Sequence, residues 1–274
     1  MFAFSVNFWI LMAVALLCSA IGFYKYVYFI SIGYGAAISG QGVAMLILFR
    51  SSLTPATVIA SIILILYGIR LSGYLIIREA KSASYKKHMK TEIKDGSSMN
   101  FFVKCMLWIF CALLYVFMIA PIFYRIENST LGGVPMQFTP TYIIGLVLMV
   151  FGIVLESASD IQKNQQKKVN PKRFCDKGLF SFVRCPNYLG EMIIWTGVLV
   201  MGITSIKTVG QWIVSILGYV GIIFVMFSGA RRLEIRQNKN YGNDPEYQKY
   251  VKTVPIMLPF VPLYSVEKYK FLVL

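Results

Sequence analysis

Seven apolar runs dominate this chain, at about 8–24, 26–49, 55–78, 103–124, 140–159, 188–206 and 211–230. Each is near the roughly 20 residues that a helix needs to cross about 30 Å of hydrocarbon. A chain built this way has few options, because backbone groups inside a bilayer must satisfy one another, and helices do so within one segment. The mean hydropathy of +0.64 and 57% hydrophobic residues agree with a polytopic membrane protein rather than a soluble domain. The expected fold is all-α, with seven transmembrane helices and a non-spanning tail of 44 residues after position 230. In that tail Tyr247, Tyr250, Val251 and Val254 have helical spacing, and Pro255, Pro259 and Pro262 then break any helix. No basic n-region precedes the first run, so no cleavable signal is expected.

The loops set an orientation. Of 27 Lys and Arg residues, 23 fall on one side: Lys25, the loop 78–104, the loop 163–184 and the tail. Arg50, Arg125 and Lys207 fall on the other, and Arg70 lies inside the third run. The positive-inside rule then places the N-terminus outside and the C-terminus in the cytoplasm. The net charge of +15 is accounted for by topology and anionic lipid, and nucleic acid is not an expected partner. The five cysteines show no metal or CxxC spacing and are expected to be free thiols. The single histidine, His88, sits in a Lys-rich loop, and no metal site is expected. Gly33, Gly35, Gly40 and Gly42 suit close helix approach in the second run.

Ionisable residues within spans are functional candidates. Arg70, Glu156 and Glu191 all fall in the cytoplasmic half, which fits a polar cavity opening to that side; snorkelling near helix ends, the alternative, suits the two glutamates but not Arg70 at its depth. Glu156, Asp160, Asn164 and Lys167 recur at i, i+4, i+8 and i+11, a polar face leaving the membrane, with Lys163 and Lys168 beside it. Pro186 suits a first helical turn, and Asn187, Glu191 and Trp195 then share a face. Carboxylates for ribose and amide hydrogens, with cations for phosphates, suit a dinucleotide. Arg184 lies just before that helix, and Arg231 and Arg232 end the last run on the same side. No GxGxxG follows a strand and no P-loop is present, so any nucleotide must be held by membrane helices and their loops.

Three ordered blocks carry a resemblance: Glu156–Lys163, then Gly178–Glu191 with Trp195-x-Gly197, then Tyr241–Pro259. Over about 145–262 the chain resembles the steroid 5α-reductase superfamily, and within it the DUF1295 branch. The resemblance implies a seven-helix membrane reductase using NADPH, similar in fold to sterol reductases and isoprenylcysteine methyltransferases. It implies that Asp160, Asn187 and Glu191 contact the dinucleotide, with Tyr188 in the same block. Arg231, Arg232 and tail tyrosines such as Tyr247 would close over it. The steroid enzymes have a tyrosine three residues before an arginine that polarises the substrate carbonyl, and Tyr67-Gly-Ile-Arg70 has that spacing. Tyr67 with Arg70 is therefore the expected acid, although a packing role explains a tyrosine equally simply. Two departures stand out. The branch pattern Arg-His-Pro-Asn-Tyr here has Cys185 for His, with no base paired to it in sequence. The substrate-side glutamate of the steroid enzymes has no match, Gln41 being the nearest polar group in that run.

These readings combine into an oxidoreductase acting on a conjugated C=C bond of a lipophilic enone. Residues 1–138 form the substrate side and 139–274 the cofactor side. The expected partners are a lipophilic small molecule and the bilayer, in a bacterial inner membrane or the endoplasmic reticulum, with the active site facing the cytoplasm and the protein a monomer. The alternatives are an S-adenosylmethionine-dependent methyltransferase of the isoprenylcysteine or phospholipid type and a non-catalytic lipid-binding relative.

Overall fold

Apolar segments without water close their own backbone hydrogen bonds, and in this chain they do so as helices. The computed structural model describes residues 4–81 and 99–272. His88 and four of the loop cations, Lys86, Lys87, Lys90 and Lys94, lie outside the described residues. Among the described residues there is no strand. The helices are α1 (Val6–Ser19), α2 (Ile32–Leu48), α3 (Pro55–Lys81), α4 (Phe101–Leu131), α5 (Pro140–Val169), α6 (Pro186–Gly202), α7 (Val209–Tyr241) and α8 (Pro245–Thr253). Side-chain caps start several of them: Ser5, Asn100 and Asp244 accept from the N–H groups of Phe8, Phe102 and Glu246.

Five segments are long and apolar enough to cross a membrane: Val6–Phe23, Pro55–Ala80, Phe101–Leu131, Pro140–Val169 and Val209–Tyr241. Two of the seven expected spans are shorter. Ile32–Leu48 and Pro186–Gly202 have 17 residues each. The second run is shortened because Tyr26–Ile30 winds as a 3-10 turn ahead of α2. Three helices instead outrun their apolar stretch: α4 continues past Tyr124 to Leu131, α5 to Val169 and α7 to Tyr241.

The chain divides into two compact units, Met1–Ile144 with Val198–Tyr219, and Gly145–Gly197 with Val220–Leu274. In the first, α2 and α3 approach through glycine. A Cβ on Gly68 would sit 2.2 Å from the Gly35 carbonyl oxygen, so neither helix tolerates a side chain there. The continuation of α4 buries Arg125 and Glu127, at 3% and 2% exposure. Arg125 was expected in a loop, since a charge ends an apolar run. It is held instead by the carbonyls of Met201 and Gln137 and the hydroxyls of Thr139, Thr204 and Ser205. Glu127 accepts from Ser5 and Asn7. A charged residue inside a span is tolerable when its hydrogen bonds are met in this way.

In the second unit α5 and α6 touch through Gly152 and Gly190: a Cβ on Gly190 would lie 2.8 Å from the Glu156 amide nitrogen. Gly197 repeats the contact against the Gly145 carbonyl oxygen. The chain after α8 lies along the segment before α6, the N–H groups of Arg184 and Cys185 donating to the carbonyls of Pro255 and Ile256, each at 2.9 Å.

Candidate functional site

The second unit gathers most of the residues expected to hold a cofactor. Glu156, Asp160 and Glu191 are buried, at 4%, 7% and 7% exposure. Glu156 and Asp160 stand one turn apart on α5, and the Gly152–Gly190 contact draws α6 against that same stretch. Glu191 directly follows Gly190 on α6. Asn187 and Tyr188 are half-buried in the first turn of α6, and Asn164 and Arg232 are exposed. Tyr188 packs on α7, where a Cβ on Gly229 would lie 3.4 Å from its hydroxyl.

Two cations assigned to phosphates are occupied by the protein itself. Arg184 forms a buried ion pair with Glu234 on α7 at 2.8 Å and also donates to the Tyr264 carbonyl. The other oxygen of Glu234 accepts from the N–H groups of Val266 and Glu267, at 2.8 and 3.0 Å. One carboxylate therefore ties α7, the segment before α6 and the tail together. Lys167 donates to the carbonyls of Pro171 and Arg173 and to the Tyr241 hydroxyl, which fixes the turn after α5. Arg231 donates to the Glu267 carbonyl. The tail tyrosines are also committed. Tyr247 donates to Asn238 and Tyr250 to the Phe180 carbonyl, around Phe174. Burial raises both phenols, Tyr247 to about 12.

Cys185 lies in an apolar cluster with Ala230, Ile256, Met257 and Val266. Burial pushes its thiol up to about 12, the condition of a packing residue rather than a nucleophile.

In the first unit Tyr67 is fully buried on α3, and its hydroxyl stands 3.0 Å from that of Tyr34 on α2. Arg70 stacks over Tyr74, 5.7 Å from the ring centroid. Tyr34 and Glu234 were not singled out from the sequence. Tyr34 is one of 17 tyrosines, with only its flanking glycines to mark it. Glu234 carried a weak signal, as a lone acid just after Arg231 and Arg232.

The family model described as "Protein of unknown function (DUF1295)" matches residues 16–254. Among curated proteins, the chain is 30% identical over 120 residues to a very-long-chain enoyl-CoA reductase of Dictyostelium discoideum, covering 43% of this chain and 36% of that protein. It is 25% identical over 124 residues to 3-oxo-5-alpha-steroid 4-dehydrogenase 1 of Rattus norvegicus, and 27% identical over 123 residues to steroid 5-alpha-reductase DET2 of Arabidopsis thaliana. Each of these two matches covers 44% of this chain and 42% of the relative, so the chain spans about two fifths of the length of the relatives it matches. No solved structure matches it significantly.

Proposed function

This chain belongs to the DUF1295 family, and from that premise we propose that it is a membrane-embedded, NADPH-dependent reductase of a conjugated C=C bond in a lipophilic enone. Relatives named as an enoyl-CoA reductase and as steroid reductases support the reaction class. The observation that carries the cofactor reading is the set of buried carboxylates, Glu156, Asp160 and Glu191, on the two helices that meet at the Gly152–Gly190 contact.

The donor set fits a reduced nicotinamide dinucleotide phosphate. Buried carboxylates accept hydrogen bonds from ribose hydroxyls and a carboxamide, and the burial that makes them costly alone makes them strong acceptors. The phosphates are assigned to the cations at this end of α5 and α7, Lys163, Lys168, Arg232 and Arg236. Asn164, Asn187 and Tyr188 complete the polar lining. Arg184, Glu234, Arg231 and Tyr247 fix the tail and keep water from the carboxylates. When bound, the nicotinamide supplies the hydride for reduction of the double bond. Tyr67, buried in the first unit, donates its proton toward the carbonyl oxygen as negative charge develops there.

The same reading takes the chain as seven spans with the C-terminus in the cytoplasm, on the strength of the cation asymmetry. The lipophilic substrate belongs to the helices before residue 139, and the host membrane is a bacterial inner membrane or the endoplasmic reticulum.

The test is titration of the purified protein with NADPH, followed by nicotinamide fluorescence, for wild type, Asp160→Ala and Glu191→Ala. Both variants should lose binding while keeping the wild-type helical content and melting temperature. Undiminished NADPH affinity in both removes the cofactor assignment, and saturable binding of S-adenosylmethionine instead replaces it with the methyltransferase.

A further inference from the structure

Gln41 on α2 is fully buried, and neither its amide nitrogen nor its amide oxygen has a hydrogen-bond partner. The hydroxyl of Ser61 on α3 is in the same condition. The two belong to one level of the first unit: a Cβ on Gly42, the next residue after Gln41, would lie 3.0 Å from the Ser61 carbonyl oxygen. An amide buried with nothing to bond costs about 2–7 kcal/mol, so packing alone would favour leucine here. On its own helix Gln41 has small neighbours in Ala37, Gly40, Gly42 and Ala44, beside the buried apolar side chains of Ile38 and Met45.

Tyr34 precedes Gln41 by seven residues, two helical turns, so both share a face of α2, with fully buried Ile38 between them. At about 1.5 Å per residue they are separated by about 10 Å along the axis. That face therefore presents, in order, the paired phenols of Tyr34 and Tyr67, an apolar stretch and an orphaned amide.

We infer that Gln41, with Ser61, reads a second oxygen function on the lipophilic substrate, a hydroxyl about 10 Å from the carbonyl that Tyr67 faces. An amide offers an acceptor and two donors, and a hydroxyl meets both kinds at once, whereas a ketone meets only the donors. The inference deepens the reductase reading and rests on its assignment of Tyr67 to the substrate carbonyl.

Binding is the readout, because it does not require turnover. The full chain in detergent is titrated with three rigid saturated ketones, which nothing in the proposed reaction consumes. One carries a hydroxyl about 10 Å from the carbonyl, one carries it about 5 Å away and one has none. The 10 Å compound should bind wild type about tenfold or more tighter than the other two, the size expected when a buried polar group gains its only partner. Gln41→Leu should bring that ratio to within about twofold, and Ser61→Ala should reduce it; Ser61→Ala alone decides the matter if Gln41→Leu does not fold. A wild-type ratio near one, or a ratio that Gln41→Leu and Ser61→Ala leave intact, overturns the inference and leaves the amide to a buried water. Failure of the reductase reading shows separately, as NADPH that is never oxidised by the matching enones while the binding ratio persists.

Discussion

The hydroxyl oxygens of Tyr34 and Tyr67 stand 3.0 Å apart across α2 and α3. Tyr34 is itself held, its ring stacked on that of Tyr115 at 5.1 Å, and the Tyr115 hydroxyl donates to the Phe29 carbonyl at 2.5 Å. Three aromatic rings from three helices thus fix the direction of one phenol. If Tyr67 is the acid, Tyr34 is the group that orients it and shares the charge it acquires.

Tyr67→Phe should lower the rate of enone reduction by about 10²-fold or more, the range for loss of a positioned general acid. Tyr34→Phe should cost less, about tenfold, and should alter the pH profile that remains. Single-turnover oxidation of bound NADPH measures both. A Tyr67→Phe rate within about threefold of wild type removes the acid role.

The Arg184–Glu234 pair should behave as a buried clamp. Arg184→Met or Glu234→Leu leaves a buried charge without its partner, at a cost of about 3–5 kcal/mol, and the double variant should recover much of that loss. Because Glu234 also holds the N–H groups of Val266 and Glu267, Glu234→Leu should expose the tail to limited proteolysis. Melting curves of the two single variants that overlay wild type would refute the clamp.

Cys185 should resist alkylation. With its thiol at about 12, almost no thiolate exists at pH 8, and the apolar cluster shields it. N-ethylmaleimide should modify Cys185 only after denaturation, as mass spectrometry of the peptide will show. The same shift has a sign in stability. The folded chain keeps a proton that the unfolded chain releases near its ordinary value of about 8.5. The thiol's contribution is therefore complete below about 8.5 and is lost as the pH rises through about 12.

Gly190→Ala should separate α5 from α6. Its Cβ would meet the Gly152 carbonyl oxygen and the Glu156 amide nitrogen, both at 2.8 Å, and backbone cannot yield as a flexible side chain can. The expected losses are about 1–3 kcal/mol of stability, the usual range for overpacking, together with NADPH affinity. Gly73→Ala is the control: nothing lies within 4 Å of its Cβ, and alanine in a helix should be neutral or stabilising by about 0.5–1 kcal/mol. Equal effects of the two substitutions would contradict the close-contact account.

Much of the second unit was legible in the sequence. The i, i+4 spacing of Glu156 and Asp160 and the start of α6 at Pro186 are both local patterns, and both appear in the structure. The extent of α4 was not legible. Arg125 looks like the end of an apolar run, yet Met201, Gln137 and three hydroxyls accept from its two terminal nitrogens, and the helix continues to Leu131. Arg184 looked like a phosphate ligand because of its place before a helix N-terminus. Its partner, Glu234, lies 50 residues away, and no periodicity connects the two.

From the sequence alone came the helical membrane architecture and the polar face leaving α5. Hydropathy and periodicity act over one or two turns, so a single segment reveals them. Tertiary structure alone decided which buried polar groups are partnered: Arg184 with Glu234, Tyr67 with Tyr34, Arg125 with the end of α6, and Gln41 with nothing. A charge or an amide in an apolar interior is tolerated or costly according to a donor or acceptor within about 3 Å, and that neighbour arrives from a distant part of the chain.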